Sequence, residues 1–586
     1  MTALQHLLDE ERPERPSSDV DAPEISATDI AVIGMAGRYP GSPDLDSLWD
    51  NVIARRDVIR DLDDAALRAL AVPVSLLSRS DLVRAGGQLE DVDCFDADQF
   101  GIDLAELALM DPQHRIFLEI VESALQNAGL GVRDPAVVVG VFAAAGPNRH
   151  HLEELLPLLR LIDASWDTLL PTGIGADHMV SRVAYKLGLD GPAMAVAATC
   201  AGSLAAVCTA ATALIDLQCD VAVAGGVHLT SPRYLRRGPG TTSADGRCRA
   251  LSADADGAGM SSGAGVVVLK RHQDAVDDGD PVLAVIRGYA MTNDGAARAG
   301  FAAPGIAGQQ AAVDQAQAAA QVGPGEIGAV FCHALGTPLG DAIEVGALRR
   351  VWASADRPAR TALVAPKTHL GNLDVASGIA ALQLAILAAR AGTVPGNLHF
   401  STPGALLELD GSGLTAQAGD AAWPSDLRRL AGVSSFGVGG TNVHLVIEAS
   451  ALPTDEEWAA AVLDEPVPLL LSTRTAADLR LFAGRLAEHL ERHRPALTAV
   501  SRTLLTGRRV HACTHVVWSR SVDEAVAQLR AVANDPAPAL DHTLPTMPAQ
   551  SAGPQRVPLP AHPYRRIRIP GPTSVLQPLI DAGGAA

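Results

Sequence analysis

Positive charge is scarce in this chain, which has 46 lysines and arginines against 67 aspartates and glutamates and a formal net charge of −21. Nucleic acids are bound through basic surfaces, so this balance argues against a nucleic-acid partner. The 7 cysteines include no Cys-x-x-Cys pair, which argues against a disulfide framework or a cysteine-based zinc site. We therefore expect no metal and a reducing, cytoplasmic setting.

Long apolar runs and aromatic residues are also few. No hydrophobic segment lies near the acidic N-terminus, so we expect no secretory signal. The most apolar stretch, 375–391, contains Ser377, Gln383 and Arg390 and is predicted to be a core helix, not a membrane span. Aromatic residues make up 3% of a chain rich in alanine and glycine, which suits closely packed helices.

The length of 586 residues predicts two or three domains. Residues 1–28 are rich in Pro, Ser and Asp and predict a flexible lead-in. Strands and helices then alternate in two successive halves over 29–449, which predicts an α/β fold with parallel-rich sheets covered on both faces. Residues 450–535 predict a small α/β domain, and the Pro-rich residues 536–586 predict an extended tail held on a surface.

A candidate nucleophile lies in the stretch from Met194 to Ala205, where an apolar, strand-like run ends at Cys200 and small residues open a helix. The N-terminal end of a helix carries partial positive charge and free N–H groups, which favour a thiolate over a thiol. The alternative is that Cys200 is a buried structural cysteine, which is common where strands and helices pack tightly.

Three further stretches, 332–341, 367–372 and 434–442, are rich in glycine and small polar residues, and each follows a candidate strand. In α/β sheets the ends of strands are where sites are built. Taken singly, each stretch has an equally good structural explanation. His333 can be a structural histidine, Lys367 a salt-bridged lysine, and the stretch 434–442 a tight turn. Together they place His333, Lys367 and an amide side chain within reach of a nucleophile.

These stretches together resemble the ketosynthases of modular polyketide synthases over 29–448. The motifs behind the resemblance are the opening 29–41, the Met-Asp-Pro-Gln of 110–113, the cysteine turn, Gly-Thr-Pro-Leu-Gly-Asp at 336–341 and the segment 433–444. The resemblance implies a duplicated thiolase fold of αβαβα layers, a homodimer, and an acyl group delivered to Cys200 by the phosphopantetheine arm of an acyl or peptidyl carrier protein. It implies no other cofactor, and it makes 450–535 a linker domain whose tail folds back on the ketosynthase.

The departures from that family are informative. Asn372 stands where the second catalytic histidine is expected, His369 stands where asparagine is usual, and Val438 replaces a gating phenylalanine, which predicts a wider pocket mouth. By the resemblance, the catalytic residues are Cys200, His333, Asn372 and Lys367. The oxyanion and pocket residues are Cys200, Val438, Phe436, His369 and Thr337.

No acyltransferase or carrier segment accompanies these motifs, so the chain resembles a free-standing, acyltransferase-less ketosynthase. An asparagine still donates a hydrogen bond but does not exchange protons near neutral pH, which makes ordinary decarboxylative elongation doubtful. We therefore expect non-decarboxylative ring closure, as in ketosynthase-like bicyclases that form a γ-lactam and a β-lactone, with His333 handling the proton. The alternatives are a decarboxylating condensing enzyme and a non-catalytic carrier-binding scaffold. Arginine clusters at 233–237 and 565–568 are the predicted docking sites for the carrier.

Overall fold

The computed structural model describes residues 25–69, 72–132, 134–147, 155, 170–230, 242–355, 360–450, 463–541, 545, 556–574 and 577. Most of the predicted lead-in over 1–28, the arginine cluster at 233–237 and part of the predicted tail lie outside these residues.

Two successive βα halves build the main body, as the alternation of elements predicted. The strands of the first half are β1 (Ile30–Arg38), β5 (Val139–Ala145), β6 (Ala193–Ala195), β7 (Val221–His228) and β8 (Gly263–Arg271). The strands of the second half are β9 (Ala284–Asn293), β10 (Ala329–Phe331), β11 (Thr361–Val364), β13 (Leu414–Thr415), β15 (Leu430–Phe436) and β16 (Thr441–Ala449). Together they form one sheet of 11 strands in the order β13-β11-β10-β15-β16-β9-β1-β8-β7-β5-β6.

The two halves repeat the same pairing. In the first, β6, β5 and β7 are parallel, and β8 and β1 follow antiparallel; in the second, β11, β10 and β15 are parallel, and β16 and β9 follow antiparallel. The sheet is therefore mixed, and the prediction of a parallel-rich sheet was wrong. The physical reason is that β15 and β16 are joined by a loop of four residues, which is too short for the crossover that a parallel pair requires.

Helices cover both faces of the sheet. In the first half they are α1 (Leu45–Ile53), α2 (Asp64–Ala69), α3 (Val74–Leu77), α4 (Ala97–Phe100), α5 (Leu104–Leu109), α6 (Pro112–Asn127), α7 (Leu170–Ile174), α8 (Ala176–Leu187), α9 (Gly202–Ile215) and α10 (His272–Asp278). In the second they are α11 (Ile306–Ala320), α12 (Pro338–Trp352), α13 (Lys367–Leu370) and α14 (Ser377–Ala391). The two halves pack through α9 and α14, whose small and aliphatic residues share one buried core with strands of both halves. Two further cores lie on the outer faces.

Helix α14 belongs to the apolar stretch that was predicted to be a core helix. With the turn before it, Asp374–Ala391 is long and apolar enough to cross a membrane, but 78% of this window is buried inside the protein. Its position between the two halves of the sheet explains its apolar character.

A second, smaller unit follows and has a core of its own. It consists of the antiparallel pair β17 (Val467–Thr473) and β18 (Cys513–Ser519) with α15 (Ala476–His493), α16 (Leu497–Thr506) and α17 (Val522–Asn534). We call β17 to α17 the linker domain. The segment 556–569 then runs back across both units: Asn127 donates to the carbonyl of Leu559, His562 N–H donates to Gln126, and β19 (Ile567–Arg568) pairs with β4 (Cys94–Phe95). The short strands β2 (Arg60–Asp61), β3 (Ala85–Gly86), β12 (Thr393–Val394) and β14 (Ala421–Ala422) complete the set.

Candidate active site

Two 3₁₀ turns related by the duplication meet at the centre of the molecule. Thr199–Ala201 links β6 to α9, and Asp374–Ala376 lies before α14. Each begins with a residue in the left-handed region, with φ 48° at both Thr199 and Asp374. Such backbone is unfavourable for residues other than glycine and marks positions that the surrounding fold holds in place. The strand predicted over 194–199 is therefore shorter than expected, because the chain turns at Thr199.

Cys200 and Asp374 face each other across these turns. The Cys200 thiol donates a hydrogen bond to Oδ1 of Asp374 at 3.2 Å. Burial, followed by the charge and hydrogen bond of Asp374, raises the pKa of the Cys200 thiol to about 12, although Lys367 and the backbone N–H of Val438 act in the opposite direction. The expectation that the helix end favours a thiolate was wrong, because desolvation and the carboxylate outweigh the helix end. Cys200 at rest is a thiol with a base beside it.

The loop between β15 and β16 lies directly over the nucleophile. The backbone N–H of Val438 is hydrogen-bonded to the Cys200 sulfur, and the Val438 carbonyl accepts from the hydroxyl of Thr199 at 3.1 Å. The hydroxyl of Ser435 donates to the Cys200 carbonyl at 2.9 Å. The side chain of Val438 is 52% exposed. The loop thus supplies an N–H donor beside the reacting sulfur and leaves a mouth lined by a small side chain.

His333 lies buried at the end of β10, next to Lys367. The Lys367 ammonium lies 3.4 Å from Nδ1 of His333 and also donates to the His333 carbonyl. Burial, and then the charge of Lys367, lowers the pKa of His333 well below its usual value. Since an ammonium group only donates, Nδ1 accepts and the ring proton lies on Nε2. His333 is therefore a neutral N–H donor at rest, whereas the sequence led us to expect that it handles the proton.

Two neighbours hold His333 in place: the carboxylate of Glu344 binds its backbone, and the ring of Phe436 packs against its imidazole. Glu344 accepts the backbone N–H groups of His333 and Ala334 at 2.8 and 2.7 Å, and burial raises the pKa of Glu344 to about 7. Phe436 packs on the imidazole with ring centroids 5.7 Å apart and an interplanar angle of 53°. Burial also lowers the pKa of Lys367.

Asn372 does not present its amide to Cys200. Its Oδ1 accepts the backbone N–H of Asp374 at 3.1 Å and the hydroxyl of Ser377 at 3.3 Å, and its Nδ2 lies 3.6 Å from the sulfur of Met260. These contacts make it a residue that holds the Asp374 turn. The predicted role as a donor to the thioester oxygen has no support in these contacts.

The described contacts of His369 and Thr337 are with backbone groups and not with Cys200. Nε2 of His369 donates to the carbonyl of Gly396 at 2.8 Å, and burial lowers the pKa of this ring to about 4. Thr337 is the N-terminal cap of α12, and its carbonyl accepts the backbone N–H of Asp341 at 2.9 Å. Both residues are structural in these contacts.

Asp374 and His228 are the residues that sequence reasoning missed. His228 ends β7 and is buried, with Nδ1 3.8 Å from Oδ2 of Asp374. Asp374 thus lies between Cys200 and His228: the first two come from the paired 3₁₀ turns, and His228 comes from the end of β7. His228 could have been found by the rule that sites follow strands. Asp374 could have been found only by aligning the two halves, which places it opposite Thr199.

The predicted docking cluster at 565–568 is not a free basic patch. Arg566 pairs with the buried Glu119 at 2.9 Å, Arg568 pairs with Asp93 at 3.1 Å, and Arg565 lies 3.9 Å from Asp478. These pairs tie the returning segment to both units, while the side chains of Arg565 and Arg568 stay 56% and 80% exposed.

Three protein-family models match consecutive parts of the chain. Residues 27–275 match the beta-ketoacyl synthase N-terminal domain, 283–401 the beta-ketoacyl synthase C-terminal domain, and 408–513 the ketoacyl-synthetase C-terminal extension. The chain belongs to the ketosynthases of modular polyketide synthases and has their thiolase fold.

The chain is similar to parts of much longer polyketide synthase proteins. The chain is 37% identical over 526 residues to a phenolphthiocerol/phthiocerol polyketide synthase protein of Mycobacterium tuberculosis, covering 86% of this chain and 35% of that protein. It is 38% identical over 523 residues to erythronolide synthase EryA3 of Saccharopolyspora erythraea, covering 86% and 16%. The chain thus spans about a third or less of the length of these relatives.

Solved ketosynthase structures match nearly the whole chain. An oxazolomycin ketosynthase domain of Streptomyces albus is 31% identical, with a TM-score of 0.79 and coverage of 93% of this chain and 100% of that one. Ketosynthase twelve of the bacillaene polyketide synthase of Bacillus amyloliquefaciens is 26% identical, with a TM-score of 0.81 and coverage of 93% and 99%.

Proposed function

We propose that this ketosynthase takes an acyl or peptidyl-polyketide chain from the phosphopantetheine arm of a carrier protein onto Cys200 and closes a ring within it without decarboxylation. The product is released by β-lactone formation. The observation behind the proposal is the Asp374 carboxylate, 3.2 Å from the Cys200 sulfur. It supplies a base at the position where the acyl chain is held.

Acyl transfer uses this base first. As the Cys200 sulfur attacks the carrier thioester, its proton passes to Asp374, and the bond between the acyl carbon and the arm sulfur breaks. The arm thiolate leaves and takes the proton from Asp374, which returns to a carboxylate. In this proposal the backbone N–H of Val438, which acts as a donor to the Cys200 sulfur at rest, donates to the thioester oxygen.

Ring closure then uses the same proton site. Asp374 removes the proton from an acidic carbon of the bound chain, and that carbon forms a bond to a carbonyl carbon of the same chain. Nε2–H of His333 donates to the developing alkoxide. The alkoxide oxygen then attacks the thioester carbon, the carbon–sulfur bond to Cys200 breaks, and the Cys200 sulfur takes back the proton held on Asp374. The cycle needs no other acid, base or co-reactant.

The same carboxylate disfavours the decarboxylative alternative. An extender unit carries its own carboxylate, and two negative charges in one partly buried site repel each other. Decarboxylation also builds negative charge on the thioester, which two donors must stabilise, and Asn372 directs its amide oxygen to Asp374 and Ser377. The relatives named above are polyketide synthases, so condensation remains the second candidate.

Three further features of the proposal rest on the resemblance. The partner is a carrier protein, the protein is a homodimer, and it works in the cytoplasm. A pure carrier-binding scaffold would need neither Cys200 nor the donor at His333. The hydrogen-bonded pair of Cys200 and Asp374 therefore supports catalysis.

The test follows one acyl chain through the enzyme. A carrier protein loaded with a linear chain that has an acidic carbon and an internal carbonyl is mixed with the enzyme, and both protein and products are analysed by mass spectrometry. We expect an adduct on Cys200 and a released product of unchanged elemental composition with a new ring. A linear acid as the product, or carbon dioxide release from a malonyl carrier at the rate of an elongating ketosynthase, would contradict the proposal.

A further inference from the structure

A cluster of three metal-ligating side chains lies where the ketosynthase meets the linker domain, far in sequence from Cys200. Asp46 is in the first turn of α1, and His489 and His493 are four residues apart on α15. One ligand atom from each of the three lies within 4.8 Å of the others. We propose that these residues bind a zinc-like divalent cation that joins the linker domain to the ketosynthase.

The geometry brings all three groups to one point. Residues four apart on a helix lie on the same face, and the imidazole centroids of His489 and His493 are 4.5 Å apart. Nε2 of His493 lies 3.2 Å from each carboxylate oxygen of Asp46. All three side chains are half-buried, so the site is partly screened from water and still open to an incoming ion.

His489 distinguishes this cluster from a simple ion pair of His493 with Asp46. Its Nε2 donates to the carbonyl of Pro558 at 2.9 Å, so the lone pair of the ring lies on Nδ1. This backbone carbonyl fixes the tautomer of the His489 ring, which is the usual arrangement behind metal-bound histidines.

The chemical types of the three ligand atoms indicate which ion this site would bind. Two imidazole nitrogens with one carboxylate are typical of zinc, with water in the fourth position, whereas calcium and magnesium prefer oxygen ligands. The cysteine pattern argued against a metal, but these ligands include no cysteine and come from two distant segments. Only the folded contact between α1 and α15 brings them together.

The cation would stabilise the contact between the linker domain and the ketosynthase. Arg492 and Asp50 already form a two-point ion pair between the same two helices at 2.9 and 2.7 Å. Pro558, which orients His489, belongs to the segment that returns over both units. An ion bound here therefore ties α1, α15 and this segment to one position, and its binding energy adds to the stability of the docked state.

The experiment uses the full chain with Cys200→Ala, which removes the reactive thiol as a competing ligand. The protein is stripped with a chelator and titrated with zinc chloride by calorimetry, and with cobalt chloride by visible spectroscopy. We expect one equivalent of zinc, a zinc-dependent rise in melting temperature, and a cobalt spectrum without thiolate charge-transfer bands. His489→Ala, His493→Ala and Asp46→Asn should each weaken binding by roughly 100-fold or more, since even residues behind the ligands typically contribute 10- to 100-fold.

His515→Ala is the matched control, because this histidine of the linker domain also lies beside an aspartate, with Nδ1 3.5 Å from Asp541. It should bind zinc like the parent. Circular dichroism of the stripped variants checks that each is folded. Zinc binding that is absent in the folded parent, or that is unchanged in His489→Ala, would overturn the proposal and leave only the ion pair of His493 with Asp46.

Discussion

At the scale of single residues, one carboxylate sets the chemistry of the site. Asp374 raises the pKa of Cys200 and accepts its hydrogen bond, so it makes the thiol a weaker acid and also stands ready to receive its proton. Asn372 and the left-handed backbone at Asp374 hold it there. A base in this position replaces the second imidazole that the family resemblance leads one to expect.

Asp374→Asn separates these two effects. Without the negative charge the pKa of Cys200 falls, so alkylation by iodoacetamide at pH 8 should become faster and its pH profile should shift to lower pH. Acyl transfer and ring closure should become slower by roughly 10²–10⁴-fold, the usual loss for a positioned general base. The measurements are alkylation rates across pH and single-turnover product formation.

The control is Asp314→Asn, a change on the exposed side of α11, which should leave both rates unchanged. If alkylation and product formation both slow in Asp374→Asn, the carboxylate has only a structural role.

His333 is expected to act as a donor and not as a base. His333→Gln keeps an N–H donor near the position of Nε2 and should retain more ring closure than His333→Ala, which we expect to lose roughly 10²–10³-fold. Both variants should still be acylated on Cys200, as intact-protein mass spectrometry would show. His369→Ala should do less harm, because that ring bonds only Gly396 in the contacts described. Equal activity of the Gln and Ala variants would contradict the donor role.

At the scale of elements, the site depends on how closely the β15–β16 loop packs on the cysteine turn. A Cβ at Gly437 would lie 2.5 Å from the carbonyl oxygen of Ala198 and 2.5 Å from the hydroxyl of Thr199. These are fixed atoms of the turn, so a side chain there forces the loop outward. The N–H of Val438 then leaves the Cys200 sulfur.

Gly437→Ala should therefore lower the rate of acylation by roughly 10²–10³-fold, the cost of losing one oxyanion donor, while the protein stays folded. Acylation by a carrier thioester and the melting temperature are measured together. Gly419→Ala is the matched control, since a Cβ at that glycine meets nothing within 4 Å. Normal acylation in Gly437→Ala would show that the Val438 N–H is dispensable.

The elements themselves were largely predictable from sequence. Helix α1 (Leu45–Ile53) can be located from the sequence because its apolar period and its Asp44 cap, whose side chain accepts from Ser47 N–H, are local signals. The antiparallel direction of β15 and β16 follows from their short connection, but the pairing of β16 with β9 from across the sheet was not predictable from any local pattern. The candidates His333 and Lys367 do meet, and the charge of Lys367 acts on Cys200. Asp374 is brought to the sulfur by the packing of two halves, which no local pattern records.

At the scale of the whole molecule, the segment before the nucleophile lies at an open edge. Strand β6 is the last in the sheet order, and all three of its residues are exposed, with Met194 at 48%. Tyr185 of the neighbouring α8 is 80% exposed. An exposed apolar strand edge invites pairing with another strand, and a twofold axis at this edge would pair β6 with its copy.

Met194→Asp should dissociate the proposed homodimer, because it would bring two carboxylates together in a surface that loses its water. Sedimentation velocity should show the mass change from dimer to monomer. Acylation of Cys200 should fall with it, since β6 ends only five residues before the nucleophile and its position is set by pairing. Leu217→Asp is the matched control: this residue is 73% exposed after α9 and away from the strand edge, and it should stay dimeric and active. A Met194→Asp protein that remains a dimer would place the dimer interface elsewhere, and a fully active monomer would show that the cysteine turn is held by its own protomer alone.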